Sequence, residues 1–161
     1  MSWDSYIAQI TNVYDYAAGA YTATGVAQFG AIYGLDGSKW GASEGFDLKS
    51  YEYEMQIDDS TTKKVHIDEV DIFKNLLTGN DKGGEAGNRF GGEKYMVTGR
   101  DGIRINLSKK AGGMIVGKAK TCAVIGVWTS ALKDSNGKFQ NPGDVWTRVK
   151  AMVDYLESQG Y

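Results

Sequence analysis

Apolar residues recur along this chain with two periods, and each period marks where an element should lie. Near the start, Trp3, Tyr6/Ile7, Ile10 and Val13/Tyr14 fall at helical spacing, with Ser2 placed as the N-cap and Asp4 suited to the positive end of the dipole. Residues 25–33 are β-like, rich in Val, Phe, Ile and Tyr. Leu35-Asp36-Gly37-Ser38 then supplies an Asp-Gly turn, and Lys39-Trp40-Gly41-Ala42 returns as a second strand. From residue 50 to 57 the period drops to two: Tyr51, Tyr53, Met55 and Ile57 alternate with Glu52, Glu54 and Gln56, as in a strand with one wet face. The polar stretch 58–64 turns the chain. Asp68-Glu69-Val70-Asp71 leads into Ile72, Phe73, Leu76 and Leu77, a short helix stopped by Gly79.

Residues 79–92 hold six glycines and no period, and read as a mobile loop. Four β-like runs follow at 94–99, 103–107, 114–116 and 121–129, the last apolar enough to be a central strand. The single proline, Pro142, opens a final helix behind an Asn141 N-cap. Val145, Val149, Met152, Val153 and Leu156 form its buried stripe, which leaves Tyr155 on another face. A helix, a run of antiparallel strands and a closing helix make an α+β layer fold in a single domain over 1–161.

Composition narrows the function. Apolar residues make up 42 % and charged residues 24 % of 161, an ordinary globular balance. A net charge of −2, from 18 Lys+Arg against 20 Asp+Glu, gives no global attraction to nucleic acid or anionic membrane. The lone Cys122 cannot form an internal disulfide, so a reducing compartment is expected. Residues 1–16 carry no basic leader or cleavage pattern, and no apolar run reaches membrane-spanning length. The expectation is a cytoplasmic protein with no transmembrane segment.

Catalytic chemistry is thin. His66 is the only histidine, without a second histidine or a cysteine nearby to share a metal, and it reads as a surface residue before a helix. No Ser/His/Asp arrangement can be built around it. The glycine-rich loop lacks the Gly-Lys-Ser/Thr ending that cradles phosphate. Cys122, in an apolar strand, reads as an inert buried thiol. No enzyme, no metal and no cofactor are expected. Both ends of the sequence instead carry rings where soluble proteins usually place charge, and rigid exposed aromatics suit an extended proline-rich peptide.

Ser2-Trp3 with Tyr6, Asp36-Gly37-Ser38-Lys39-Trp40, Gly91-Gly92-Glu93-Lys94-Tyr95-Met96-Val97, Lys109-Lys110-Ala111-Gly112-Gly113 and Asp154-Tyr155-Leu156…Gln159-Gly160-Tyr161 together resemble profilin, the small actin-monomer-binding family. Each motif is short; their order and spacing over nearly the whole chain carry the likeness. The resemblance implies a central antiparallel sheet with the N- and C-terminal helices packed together on one face and shorter helix and hairpin elements on the other. It implies a polyproline groove of Trp3, Tyr6, Trp40, Tyr155 and Tyr161. Trp40 taken alone reads equally well as a core ring. It further implies an actin surface elsewhere, made of Val70, Lys94, Lys109, Lys110, Lys118, Trp146, Thr147, Arg148 and Lys150. Each lysine also has a plain reading as solvated sheet surface, and Trp146 as a ring packed inward.

The implied function is an actin-monomer-binding adaptor that also binds proline-rich segments of filament-elongation factors such as formins, in the cytoplasm and cytoskeleton. Phosphoinositide head groups are a further implied partner at the lysines. Three stretches look longer than in common relatives: 47–65, expected to add a β-hairpin, 79–90 and 131–142. The rival readings are a proline-peptide module with weak or no actin binding, and a small-molecule sensor of similar architecture.

Overall fold

The computed structural model describes residues 2–161 and is built around one antiparallel sheet. The elements run α1 (Asp4–Thr11), β1 (Val13–Asp15), β2 (Ala20–Ala23), β3 (Phe29–Gly34), β4 (Lys39–Ala42), β5 (Ser50–Gln56), β6 (Thr62–Asp68), α2 (Glu69–Leu77), β7 (Asn88–Phe90), β8 (Glu93–Asp101), β9 (Arg104–Lys109), β10 (Gly112–Lys118), β11 (Cys122–Thr129) and α3 (Pro142–Ser158). Seven strands form the main sheet in the order β4-β3-β11-β10-β9-β8-β7, while β1–β2 and β5–β6 are separate hairpins. The β11 strand is central, as its apolar run predicts, paired with β10 on one side and β3 on the other.

Two cores fill the two faces of the sheet. On one, α1 and α3 pack side by side over Ile32, Ile115, Cys122 and Val124, contributing Ile7, Ile10, Val145, Val149, Val153 and Leu156. On the other, α2 and the β5–β6 hairpin cover Tyr33, Ile105, Leu107, Met114 and Ile125 with Phe73, Leu76, Val65 and Ile67. Period-two alternation in β10 and β11 serves both faces at once, so these strands are buried up to their last residues, Lys118 and Trp128–Thr129.

The structure corrects several sequence expectations. The first helix stops at Thr11, so Val13 and Tyr14 lie on a strand instead of the helix face. Asn12 causes the break: its side-chain amide donates to the Ala8 carbonyl at 2.8 Å while its oxygen accepts from Gly25 N–H at 2.9 Å. Trp3, not Ser2, occupies the N-cap position, although the Ser2 hydroxyl accepts from Asp4 N–H at 3.1 Å. Residues 79–92 are not a shapeless loop; they contain β7, whose Phe90 is fully buried. The polar turn after β5 is shorter than expected, because β6 resumes at Thr62. His66 therefore sits on a strand, bonded to Glu52 at 2.8 Å and Ser50 at 3.0 Å. Ile57 does not share the inward face of Tyr51, Tyr53 and Met55, and is 55 % exposed.

The hairpin is fastened by one buried carboxylate. Glu69, fully buried in the first turn of α2, accepts from Lys49 N–H (2.9 Å), the Tyr51 hydroxyl (2.8 Å), Gly91 N–H (2.8 Å) and Gly92 N–H (3.0 Å). Burial, reinforced by the Glu69 carboxylate, pushes the Tyr51 phenol up to about 12. Removing this acceptor strands four donors, so Glu69→Ala should cost about 3–5 kcal/mol in urea unfolding. Hydrogen exchange locates the effect: amides of β5 and β6 should be protected in the wild type and exchange faster in the variant, with those of the 57–61 tip fast in both. Unchanged strand protection in Glu69→Ala would mean the hairpin is held by its apolar face alone.

Candidate functional site

Five rings from three elements meet at the edge of the helical face. Trp3 precedes α1, Tyr6 lies on it, Trp40 comes from β4, Tyr155 from α3, and Tyr161 follows α3. Trp3 stands at the centre, with centroid distances of 5.2 Å to Tyr6, 5.2 Å to Trp40 and 5.6 Å to Tyr161. Tyr6 continues the row to Tyr155 at 5.6 Å, and Tyr161 also braces Trp40 at 5.5 Å. The rings are partly open to solvent, Tyr155 and Tyr161 by 43 % and 41 %.

Backbone geometry holds this row in place. Gly41 lies beneath Trp3, where a Cβ would meet the Trp3 Cβ at 2.9 Å, so only glycine lets α1 seat this closely. At the other end, the Tyr161 carbonyl accepts from Lys120 N–H at 3.0 Å and Thr121 N–H at 3.3 Å, while Tyr161 N–H donates to Leu156 at 2.9 Å. Trp40 Nε1–H donates to the Ser38 hydroxyl at 3.3 Å. Tyr155 raises the Tyr6 phenol above the usual tyrosine range, chiefly through their side-chain hydrogen bond. Neutral phenols and indoles remain as hydrogen-bond donors on flat apolar platforms.

The nine residues assigned to an actin surface fall into three places. Lys94, Lys109 and Lys110 line a concavity of about 620 Å³ beside β8 and β9. Trp146, Thr147, Arg148 and Lys150 lie along the first half of α3. Val70, on α2, reaches the Gly37 turn, and Lys118 on β10 donates to the Leu77 carbonyl at the end of α2 at 2.8 Å. The lysines are not uniformly free. Lys109 pairs with Glu93 at 2.7 Å, its side chain only 7 % exposed, and Lys150 pairs with Asp154 at 2.6 Å. Among the described residues, Lys94, Lys110 and Arg148 have no carboxylate partner. Trp146 is half-buried with the Arg104 guanidinium 4.6 Å over its ring.

No group of acidic, histidine or cysteine side chains among the described residues could hold a metal ion. The Cys122 thiol is pushed up to about 11 by burial, which disfavours the reactive thiolate. Among the described residues no helix is long and apolar enough to cross a membrane.

The profilin family model matches residues 1–161. The chain belongs to the profilin family. It is 26 % identical over 167 residues to profilin of Tetrahymena pyriformis, covering 99 % of this chain and 98 % of that one. It is 27 % identical over 161 residues to profilin-1B of Acanthamoeba castellanii, with both chains covered completely. Among solved structures, Acanthamoeba castellanii profilin IB superposes with a TM-score of 0.65 at 21 % identity, over 99 % of this chain and 100 % of that one. Mouse profilin IIa in complex with a double repeat from the FH1 domain of mDia1 gives 0.56 at 20 % identity over all of both chains. LokiProfilin2 in complex with rabbit actin gives 0.55 at 18 %, over 81 % of this chain and 84 % of that one. At these identities the structural likeness concerns the profilin fold.

Two features escaped the sequence reading. Tyr14, Tyr16 and Tyr21 form a second ring cluster, Tyr14 lying 5.0 Å from each of the other two. Extending the helical period past Asn12 had hidden it. Glu69 looked like one more acid at a helix start, and nothing in its spacing marks it as buried. The close seat of α1 is testable: Gly41→Ala should destabilise the fold by about 1–3 kcal/mol through overpacking. It should also shift tryptophan emission as Trp3 moves from Trp40. Wild-type emission and an unchanged unfolding midpoint would show that the helix has slack there.

Proposed function

We propose that this chain is an adaptor that binds an actin monomer on one surface and a proline-rich segment on the five-ring groove. The groove carries the reading. A proline-rich chain offers backbone carbonyls and few N–H groups, and its preformed left-handed helix presents flat ring faces. Trp3, Tyr6, Trp40, Tyr155 and Tyr161 answer with platforms and donor tips. Family membership supports the actin half, as do the complexes in which relatives of this fold hold actin or an FH1 repeat. The mechanism is two-site binding without a covalent step, delivering monomer to proline-rich elongation factors such as formins through effective concentration.

The packed state of both sheet faces favours the adaptor over a small-molecule sensor, since apolar side chains fill the space such a pocket would need. The engagement of Lys109, Lys118 and Lys150 with internal partners leaves the electrostatic part of actin encounter to Lys94, Lys110 and Arg148. Phosphoinositide head groups would compete at Lys94 and Lys110.

Trp3→Ala and Tyr161→Ala should each weaken oligoproline binding by about 1–2 kcal/mol, measured by titrating tryptophan fluorescence. Unchanged binding in both would remove the groove assignment. Lys110→Glu should slow association with monomeric actin and reduce its salt dependence, with oligoproline binding intact. Wild-type association rates at low salt would displace the actin surface from this lysine.

A further inference from the structure

We infer that the proline-rich track does not end at Tyr155 but continues into a cleft between α1, β1 and α3, where a further length of the same segment binds. The inference rests on the proposed polyproline reading and extends it. The cleft encloses about 290 Å³ and is lined by Gln9, Tyr14, Tyr16, Arg148, Met152 and Tyr155. Tyr155 belongs to both surfaces: it is the last ring of the five and a wall of the cleft. Through the cleft, Tyr155 links the ring row from Trp40, Trp3 and Tyr6 to the Tyr14–Tyr16 pair on the facing wall.

Donor chemistry identifies the occupant. Tyr16 donates its hydroxyl proton to Gln9 Oε1 at 2.6 Å, which engages the amide oxygen, while the Gln9 NH2 group has no partner among the described residues and stays available as a donor. Arg148, the one charged group lining the cleft, can only donate and has no carboxylate partner among the described residues. Tyr16, which lines the cleft, is 74 % exposed, a large ring left uncovered beside these donors. A surface of rings and donors matches a chain that brings proline rings and acceptor carbonyls. It matches poorly a β-strand or a helix, whose N–H groups need acceptors or are already paired.

The test compares two oligoprolines, one of six residues spanning about 19 Å, close to the reach of the five-ring row, and one of twelve spanning about 37 Å at about 3.1 Å per residue. Each is titrated by tryptophan fluorescence against wild type, Tyr16→Ala and Trp3→Ala. Wild type should bind the longer peptide roughly tenfold more tightly, a gain typical of one added anchor. Tyr16→Ala should lose most of that gain while binding the shorter peptide as wild type does, which also reports that it has folded. The extra binding registers on a long peptide are the same for both proteins, so the difference isolates the cleft. Equal gain in wild type and Tyr16→Ala overturns the extension. Wild-type binding of the shorter peptide by Trp3→Ala overturns the polyproline reading itself. Sedimentation of the free protein covers the other occupant: dimerisation abolished by Tyr16→Ala would make the cleft an interface between copies and overturn the proposal.

Discussion

The second face of this sheet depends on a carboxylate shut away from bulk solvent. Glu69 is fully buried and takes four donors from three segments: the approach to β5, the hairpin's Tyr51, and the Gly91-Gly92 turn between β7 and β8. An isolated two-stranded hairpin is marginal in water, and the short β7 strand has little ladder of its own. Each becomes stable by sharing an acceptor with the helix that covers the core. Asp68 caps that same helix by accepting from Asp71 N–H at 3.3 Å, so consecutive acids divide the work, one satisfying the helix and the other everything around it. The concavity bearing Lys94, Lys109 and Lys110 inherits its shape from this arrangement, because β7 and β8 form its wall.

On the opposite face the constraint is distance instead of charge. Gly126 and Gly117 stand where a Cβ would meet Val145 at 2.6 Å and Val149 and Val153 at 2.8 Å. These contacts bring α3 onto β10 and β11 with methyl groups touching backbone, and Gly41 does the same for Trp3. The ring row is thereby mounted on a close-packed support. Ring-to-ring contacts at 5.2–5.6 Å restrain these side chains further, which would lower the ordering cost of binding a partner there.

Much of this was legible in the sequence where a period was long and uninterrupted. The central strand, the buried stripe of α3, the Asp-Gly hairpin at 36–37 and the alternation from Tyr51 all register because one face is apolar. The failures share a cause: a side chain or a neighbour overrode the local pattern. Asn12 bonds backward to Ala8 and across to Gly25, ending a helix whose apolar spacing would have carried it on. The glycine-rich stretch before β8 has no period, yet Phe90 is pulled into the core by its contacts with Phe73 and Tyr95, both with centroids at 5.9 Å. The five rings were recognisable as types at positions, but their convergence depends on α1 and α3 lying side by side, which no local window contains. The engagement of Lys109 with Glu93 was equally invisible, since it joins residues on neighbouring strands.

Helix α3 ties the proposed partners together. Tyr155 sits near its end in the ring row, while Trp146, Thr147, Arg148 and Lys150 occupy its first half, from about 8 Å (Lys150) to about 13 Å (Trp146) away at about 1.5 Å per residue. Arg148 and Tyr155 nevertheless line the same cleft, so the two surfaces adjoin instead of lying on separate faces. The buried stripe of α3 is close-packed against glycine-bearing strands, and this leaves little room for one partner to influence the other by shifting the helix. Coupling between them must then act at the surface, through what each partner covers or repels around Arg148. A short proline-rich segment confined to the five rings would leave that residue untouched and the two sites independent. A longer one reaching the cleft would touch both, making the length of the segment the variable that decides whether the partners bind together or compete.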